Sequence, residues 1–136
     1  LAHKDVVEEL GLKPIARLRG YNVQAGDPKY LGPAQVGAIH KACEQAGITP
    51  DQIQLVECNE AFASQTLHVV KELGFSPDIV NVNGGAIALG HPLGCTGAKL
   101  SATLLHEMKR RGTKWGCVTM CIGGGMGAAG IFELAD

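Results

Sequence analysis

The stretch Gly116-Cys117-Val118-Thr119-Met120-Cys121-Ile122-Gly123-Gly124-Gly125-Met126-Gly127-Ala128-Ala129-Gly130-Ile131-Phe132-Glu133-Leu134 decides the fold class. Its two apolar runs, residues 116–122 and 129–134, read as strands. The glycine-rich link between them is too short for a crossover, so they are expected to pair antiparallel. Upstream, the apolar spacing switches between the helical and the extended period. Residues 5–10 read as a short helix or the end of one, with Gly11 as its terminator. Residues 15–23 set Ile15, Arg17 and Arg19 against Ala16 and Leu18, a strand with one wet face, and Gly26-Asp27-Pro28 breaks it.

Val36, Ile39, Cys43 and Ala46 then recur at helical spacing. Thr49-Pro50-Asp51-Gln52 has the pattern of a capping box around a short turn. Residues 54–58 make a second strand. Phe62, Thr66, Val69, Val70 and Leu73 line one helix face up to Gly74, and residues 79–83 read as a third strand. From Gly97 to Arg111, Leu100, Leu104, Leu105 and Met108 share a side, and Lys109, Arg110 and Arg111 suit the negative end of the helix dipole. The order β-α-β-α-β-α-β-β predicts one layered α/β domain over residues 1–136. Its mixed, mostly parallel five-stranded sheet would be covered by helices.

Composition narrows the function. Among 136 residues, 12 Lys+Arg against 13 Asp+Glu leave a net charge of −1. No basic field is present for nucleic acid or an anionic membrane surface. No apolar run is long enough to span a bilayer, and Leu1-Ala2-His3-Lys4-Asp5 lacks the basic-then-apolar order of a signal peptide. The expectation is a soluble intracellular protein, cytoplasmic first, with mitochondrial or peroxisomal placement open. Leu1 in place of a start methionine points to an incomplete or processed chain. The five cysteines, Cys43, Cys58, Cys95, Cys117 and Cys121, are odd in number and lack framework spacing, which favours reduced thiols.

Three glycine or cysteine patterns invite readings that fail. Gly125-Met126-Gly127-Ala128-Ala129-Gly130 matches G-x-G-x-x-G, yet too few residues follow Gly130 to build the helix whose N-terminus would face a pyrophosphate. Gly94-Cys95-Thr96-Gly97-Ala98-Lys99 is close to a P-loop, but Leu100 stands where the magnesium-binding hydroxyl belongs. Cys117 and Cys121 fall on one predicted strand about 13 Å apart, too far to share one ion, so no metal is expected.

Three polar segments remain at ends of predicted strands, where open α/β sheets place ligands. These are Asn59-Glu60-Ala61-Phe62, Gly90-His91-Pro92-Leu93-Gly94 and Cys121-Ile122-Gly123-Gly124-Gly125. They offer a carboxamide, an imidazole, a thiol and free backbone N–H groups, a set suited to acyl or enolate chemistry. Each also has a plain structural reading. Asn59 could cap the next helix, His91 could be a turn residue, Cys121 could fill the core, and Cys95 is a second candidate thiol near a helix start.

In order and spacing, Asn59-Glu60-Ala61-Phe62-Ala63, the run from Gly84-Gly85-Ala86 through Gly90-His91-Pro92-Leu93-Gly94, and Cys121-Ile122-Gly123-Gly124-Gly125-Met126-Gly127 resemble the C-terminal half of the thiolase family. The resemblance covers nearly the whole chain. It implies a thiolase-like layered domain of a degradative 3-ketoacyl-CoA thiolase of fatty-acid β-oxidation, or of an acetyl-CoA acetyltransferase. It further implies that His91 activates a nucleophilic cysteine and, with a water held by Asn59, forms an oxyanion hole. Cys121 would move the proton at C2, and the Gly123 N–H would serve a second oxyanion hole. Coenzyme A and acyl-CoA would be substrates, with no tightly bound cofactor.

By the same resemblance, the nucleophile and most CoA contacts belong to a first half that this sequence lacks. The expected partners are therefore that N-terminal half or a second subunit, with homo-oligomers anticipated. Pro33-Ala34-Gln35-Val36-Gly37 departs from the family's usual Gly-Pro-Val-Pro stretch. The competing expectation is a noncatalytic binding or assembly module, inactive without its first half.

Overall fold

A mixed sheet runs in the order β1-β4-β3-β2 through the structure, a computed structural model that describes residues 1–135. Its strands are β1 (Ala16–Ala25), β2 (Leu55–Cys58), β3 (Trp115–Gly123) and β4 (Met126–Leu134). The hairpin expected from the C-terminal stretch is present: β3 pairs antiparallel with β4, from Trp115 opposite Glu133 to Gly123 opposite Met126. Gly124 and Gly125, at φ 59° and 75°, make its turn. β1 joins the outer side of β4 antiparallel, and β2 lies parallel to β3.

Among the described residues there are five helices, α1 (Lys4–Glu9), α2 (Pro33–Ala46), α3 (Ala63–Leu73), α4 (Ala86–Leu89) and α5 (Thr96–Arg111), of which α2 and α5 lie against the sheet and α3 packs on α2. Two separate cores result. On one face, Ile39 and Cys43 of α2 and Val69 of α3 pack with Val56, Cys117 and Ile131. On the other, Leu100, Leu104 and Met108 of α5 pack on Leu55 and Val118. Fully burying a side chain of this size contributes roughly 1.5–3 kcal/mol, so the apolar stripe of α5 is enough to fix which face it presents. α2 sits unusually close to the sheet. A methyl group added at Gly20 would meet the Ala42 carbonyl oxygen at 2.0 Å, and one at Gly127 would meet the Gln35 backbone at 2.5 Å.

Two expectations are corrected. The sheet has four strands, not five, and only one of its three pairings is parallel. Residues 79–83 contribute a single bridge, Val56 to Val80, rather than a strand. A 3₁₀ turn at Pro77–Ile79 leads into them, and Asn81 takes a left-handed φ of 48°, which halts an extended run. The Asn81 side chain then does part of a strand's bonding. Its Oδ1 accepts from the Cys58 N–H and its Nδ2 donates to the Cys58 carbonyl, both at 2.8 Å, while its own N–H reaches the Val56 carbonyl at 2.9 Å.

Among the described residues, no helix is long and apolar enough to cross a membrane.

Candidate active site

β2 and β3 run parallel, so their carboxyl ends share one rim of the sheet. Asn59 leaves β2 there, its N–H donating to the Thr119 carbonyl at 2.9 Å. It does not cap α3, which begins later, at Ala63. Its side chain is fully buried instead, with Nδ2 at 3.4 Å from His91 Nε2. The Asn59 Oδ1 is buried with no hydrogen-bond partner, and a buried carboxamide normally fills that valence. The pair is thus built with one acceptor left open.

His91 follows α4, whose last residue is succeeded by Gly90 at φ 90°. Three contacts hold its loop. Glu60 Oε2 accepts from the Ile87 N–H at 2.8 Å and Glu60 Oε1 from Asn81 Nδ2 at 3.2 Å. Lys99 Nζ donates to the Gly90 carbonyl at 2.8 Å. On the ring itself, Nδ1 lies 2.6 Å from Thr96 Oγ1 at the start of α5. A Cβ at Gly85 would sit 2.3 Å from the Glu60 carboxyl carbon, so a side chain there would displace the carboxylate from this clamp.

Cys121 lies two residues beyond Thr119 on β3, a rise of about 7 Å along the strand, and so at the same rim. It is partly buried, and Gly123 follows it with φ 87° where the β3–β4 register shifts. Among the described residues no hydrogen bond connects Cys121 or Gly123 to His91 or Asn59. The structure therefore joins the imidazole and the carboxamide, and sets the thiol and the glycine at their end of the sheet.

Electrostatics separates the thiols. Burial pushes Cys43 up to about 11 and Cys58 up to about 12, and it raises Cys117 well above the ordinary thiol value. None of those three is a thiolate near neutrality. Cys95 is exposed and Cys121 partly so. Nearby, burial drives the Glu57 carboxyl up to about 7; Lys99 opposes this, and Glu107 and Glu60 add to it. Among the described residues no group of three or more His, Cys, Asp or Glu side chains could hold a metal ion.

Sequence reasoning passed over Thr96, Glu60, Asn81 and Lys99. A threonine at a helix start reads as ordinary helix chemistry, and a glutamate in a loop or a lysine in the first turns of a helix reads as solvated. Only the fold shows what they reach.

The family model for the C-terminal domain of thiolase matches residues 12–134. The chain belongs to the thiolase family. This thiolase domain is 54% identical over 134 residues to the 3-ketoacyl-CoA thiolase of Bacillus subtilis (strain 168), covering 98% of the domain and 34% of that protein. It is 56% identical over 122 residues to the acetyl-CoA acetyltransferase of Chromobacterium violaceum, covering 90% of the domain and 31% of that protein. The crystal structure of human mitochondrial 3-ketoacyl-CoA thiolase in complex with CoA superimposes with a TM-score of 0.95 at 45% identity, over 99% of the domain and 34% of that chain. The domain thus spans about a third of the length of the relatives it matches.

Proposed function

We propose that this thiolase domain supplies one side of an acyl-transfer site for 3-ketoacyl-CoA thiolysis, or for the reverse Claisen condensation of acetyl-CoA. The observation that carries the reading is the Asn59–His91 pair, with Nδ2 and Nε2 3.4 Å apart at the carboxyl rim of the sheet. In this reading His91 takes the proton of a cysteine thiol supplied by a first half. The resulting imidazolium N–H, together with a water held by Asn59, then stabilises the thioester enolate oxygen. Cys121 delivers or removes the proton at C2. The Gly123 N–H faces the oxyanion of the tetrahedral intermediate on the acylated cysteine. Cleaving the carbon–carbon bond leaves a carbanion, so a site needs donors aimed at the enolate oxygen and an acid at carbon.

Coenzyme A and acyl-CoA are substrates in this scheme, and the domain is nearly inactive alone. Its partner is an N-terminal half, on the same or another chain, and the assembly is a homo-oligomer. Exposed apolar side chains around the rim fit a covered face: Ile87 is 70% and Leu93 82% exposed, with Phe62 and Leu89 also open. A place in bacterial cytoplasm, mitochondria or peroxisomes is compatible with the relatives.

The test is complementation. The domain is mixed or fused with the first half of the Bacillus subtilis 3-ketoacyl-CoA thiolase, and CoA-dependent loss of acetoacetyl-CoA is followed. Activity is expected only in the combination, with His91→Ala lowering kcat by about 10² to 10⁴, the usual contribution of a positioned acid–base group. A folded complex that binds CoA without turnover would favour the noncatalytic module.

A further inference from the structure

Thr96, the first residue of α5, is completely buried. Its Oγ1 donates to the Pro92 carbonyl at 3.1 Å and also lies 2.6 Å from His91 Nδ1. A threonine hydroxyl has a single proton. With that proton on Pro92, the oxygen meets the ring as an acceptor, and Nδ1 must carry the hydrogen. The opposite ring nitrogen, Nε2, faces the Asn59 Nδ2 donor, which calls for a lone pair there. The Asn59 Nδ2, which can only donate, and the Thr96 hydroxyl with its proton on Pro92 therefore match the same form of the imidazole.

We propose that Thr96 is a positioning residue that holds neutral His91 as the Nδ1–H tautomer, keeping the Nε2 lone pair open toward Asn59. The assignment rests on the reading of His91 as the site's base and names what makes it one. In this form Nε2 can accept a thiol proton with no ring flip: the S–H bond breaks, the Nε2–H bond forms, and the products are a thiolate and an imidazolium whose positive charge is shared with Nδ1–H. The same Nε2–H then points beside Asn59 as a donor. The opposite tautomer would present N–H first and could not act as base from this pose.

The experiment reads the tautomer directly. The domain is labelled with ¹⁵N-histidine, the His91 signals are assigned by their loss in His91→Gln, and ring nitrogen shifts are recorded above the pH at which the imidazole titrates. The wild type is expected to show Nδ1–H and a lone pair at Nε2. Thr96→Val keeps the side-chain shape without the hydroxyl and should move the ratio toward Nε2–H by on the order of fivefold, as loss of one hydrogen bond predicts. Thr96→Ser should restore it.

A wild-type spectrum showing Nε2–H overturns the proposal even if the valine variant does not fold. An unchanged ratio in a folded Thr96→Val does the same. In the complemented enzyme, Thr96→Val should lower kcat more than it changes KM and displace the acidic limb of the pH profile, with Thr96→Ser close to wild type. If the wild-type combination shows no turnover while the spectra show Nδ1–H, the functional reading falls and the role of Thr96 stands.

Discussion

At the scale of single residues, His91 owes its pose to side chains that look unremarkable in the sequence, and Glu60 links two of the segments involved. Its carboxylate receives Asn81 Nδ2 and the Ile87 N–H, so it ties the segment bearing Asn59 to the loop bearing His91. Glu60→Ala should therefore cost about 1–3 kcal/mol of stability in thermal melts, as charge-assisted bonds are lost. A shift of about 1 Å in the imidazole would lower turnover of the complemented enzyme by about 10². Glu57 makes a different prediction. Its folded carboxyl titrates near 7 against an ordinary value of 4.5, and its Oε1 is buried without a partner. The native state holds this proton where the unfolded chain has already released it. Stability is therefore greatest below about pH 4.5 as far as this group is concerned, and falls as pH rises through about 7. Denaturant titrations of Glu57→Gln should show that slope flattened relative to wild type.

At the scale of elements, the contact between α2 and the sheet has no room to spare. Gly20→Ala places a methyl group on the Ala42 carbonyl oxygen, so a loss of about 1–3 kcal/mol or more is expected in chemical denaturation, without loss of helix content. Leu104→Ala empties the middle of the α5 stripe and should cost about 2–5 kcal/mol in the same measurement. The helices α2, α3 and α5 that the apolar spacing announced are present within a few residues, because each buries one face at period 3.6, whereas the short α1 forms without a buried residue. The β3–β4 hairpin was equally legible, since a short glycine link leaves a chain no other way to return. Residues 79–83 misled because Ile79, Val80 and Val82 are apolar for a tertiary reason: they pack at the border of the two cores. Their extended path is cut by the left-handed turn at Asn81, which no periodicity registers. The site shows the same division. Asn59 and His91 could be picked out by residue type and motif, whereas Thr96 and Glu60 act through contacts that depend on how α4 and α5 are placed.

At the scale of the molecule, the domain spans about a third of the length of the relatives it matches, and it carries exposed apolar side chains. Leu18, Tyr21 and Val23 on β1 are each about half open although they belong to the sheet. Adding a first half should lower their hydrogen exchange together with that of the rim, and should raise the melting temperature of this domain as binding to the native state requires. Unchanged exchange in the mixture would argue that no such face is covered. The asparagine that stands in for a strand at position 81 has one more effect. By occupying both main-chain groups of Cys58, it closes that border of the sheet to any incoming backbone, as a stopper closes a zip. Fibre-like growth or strand exchange between copies would have to begin from β1, at the opposite margin.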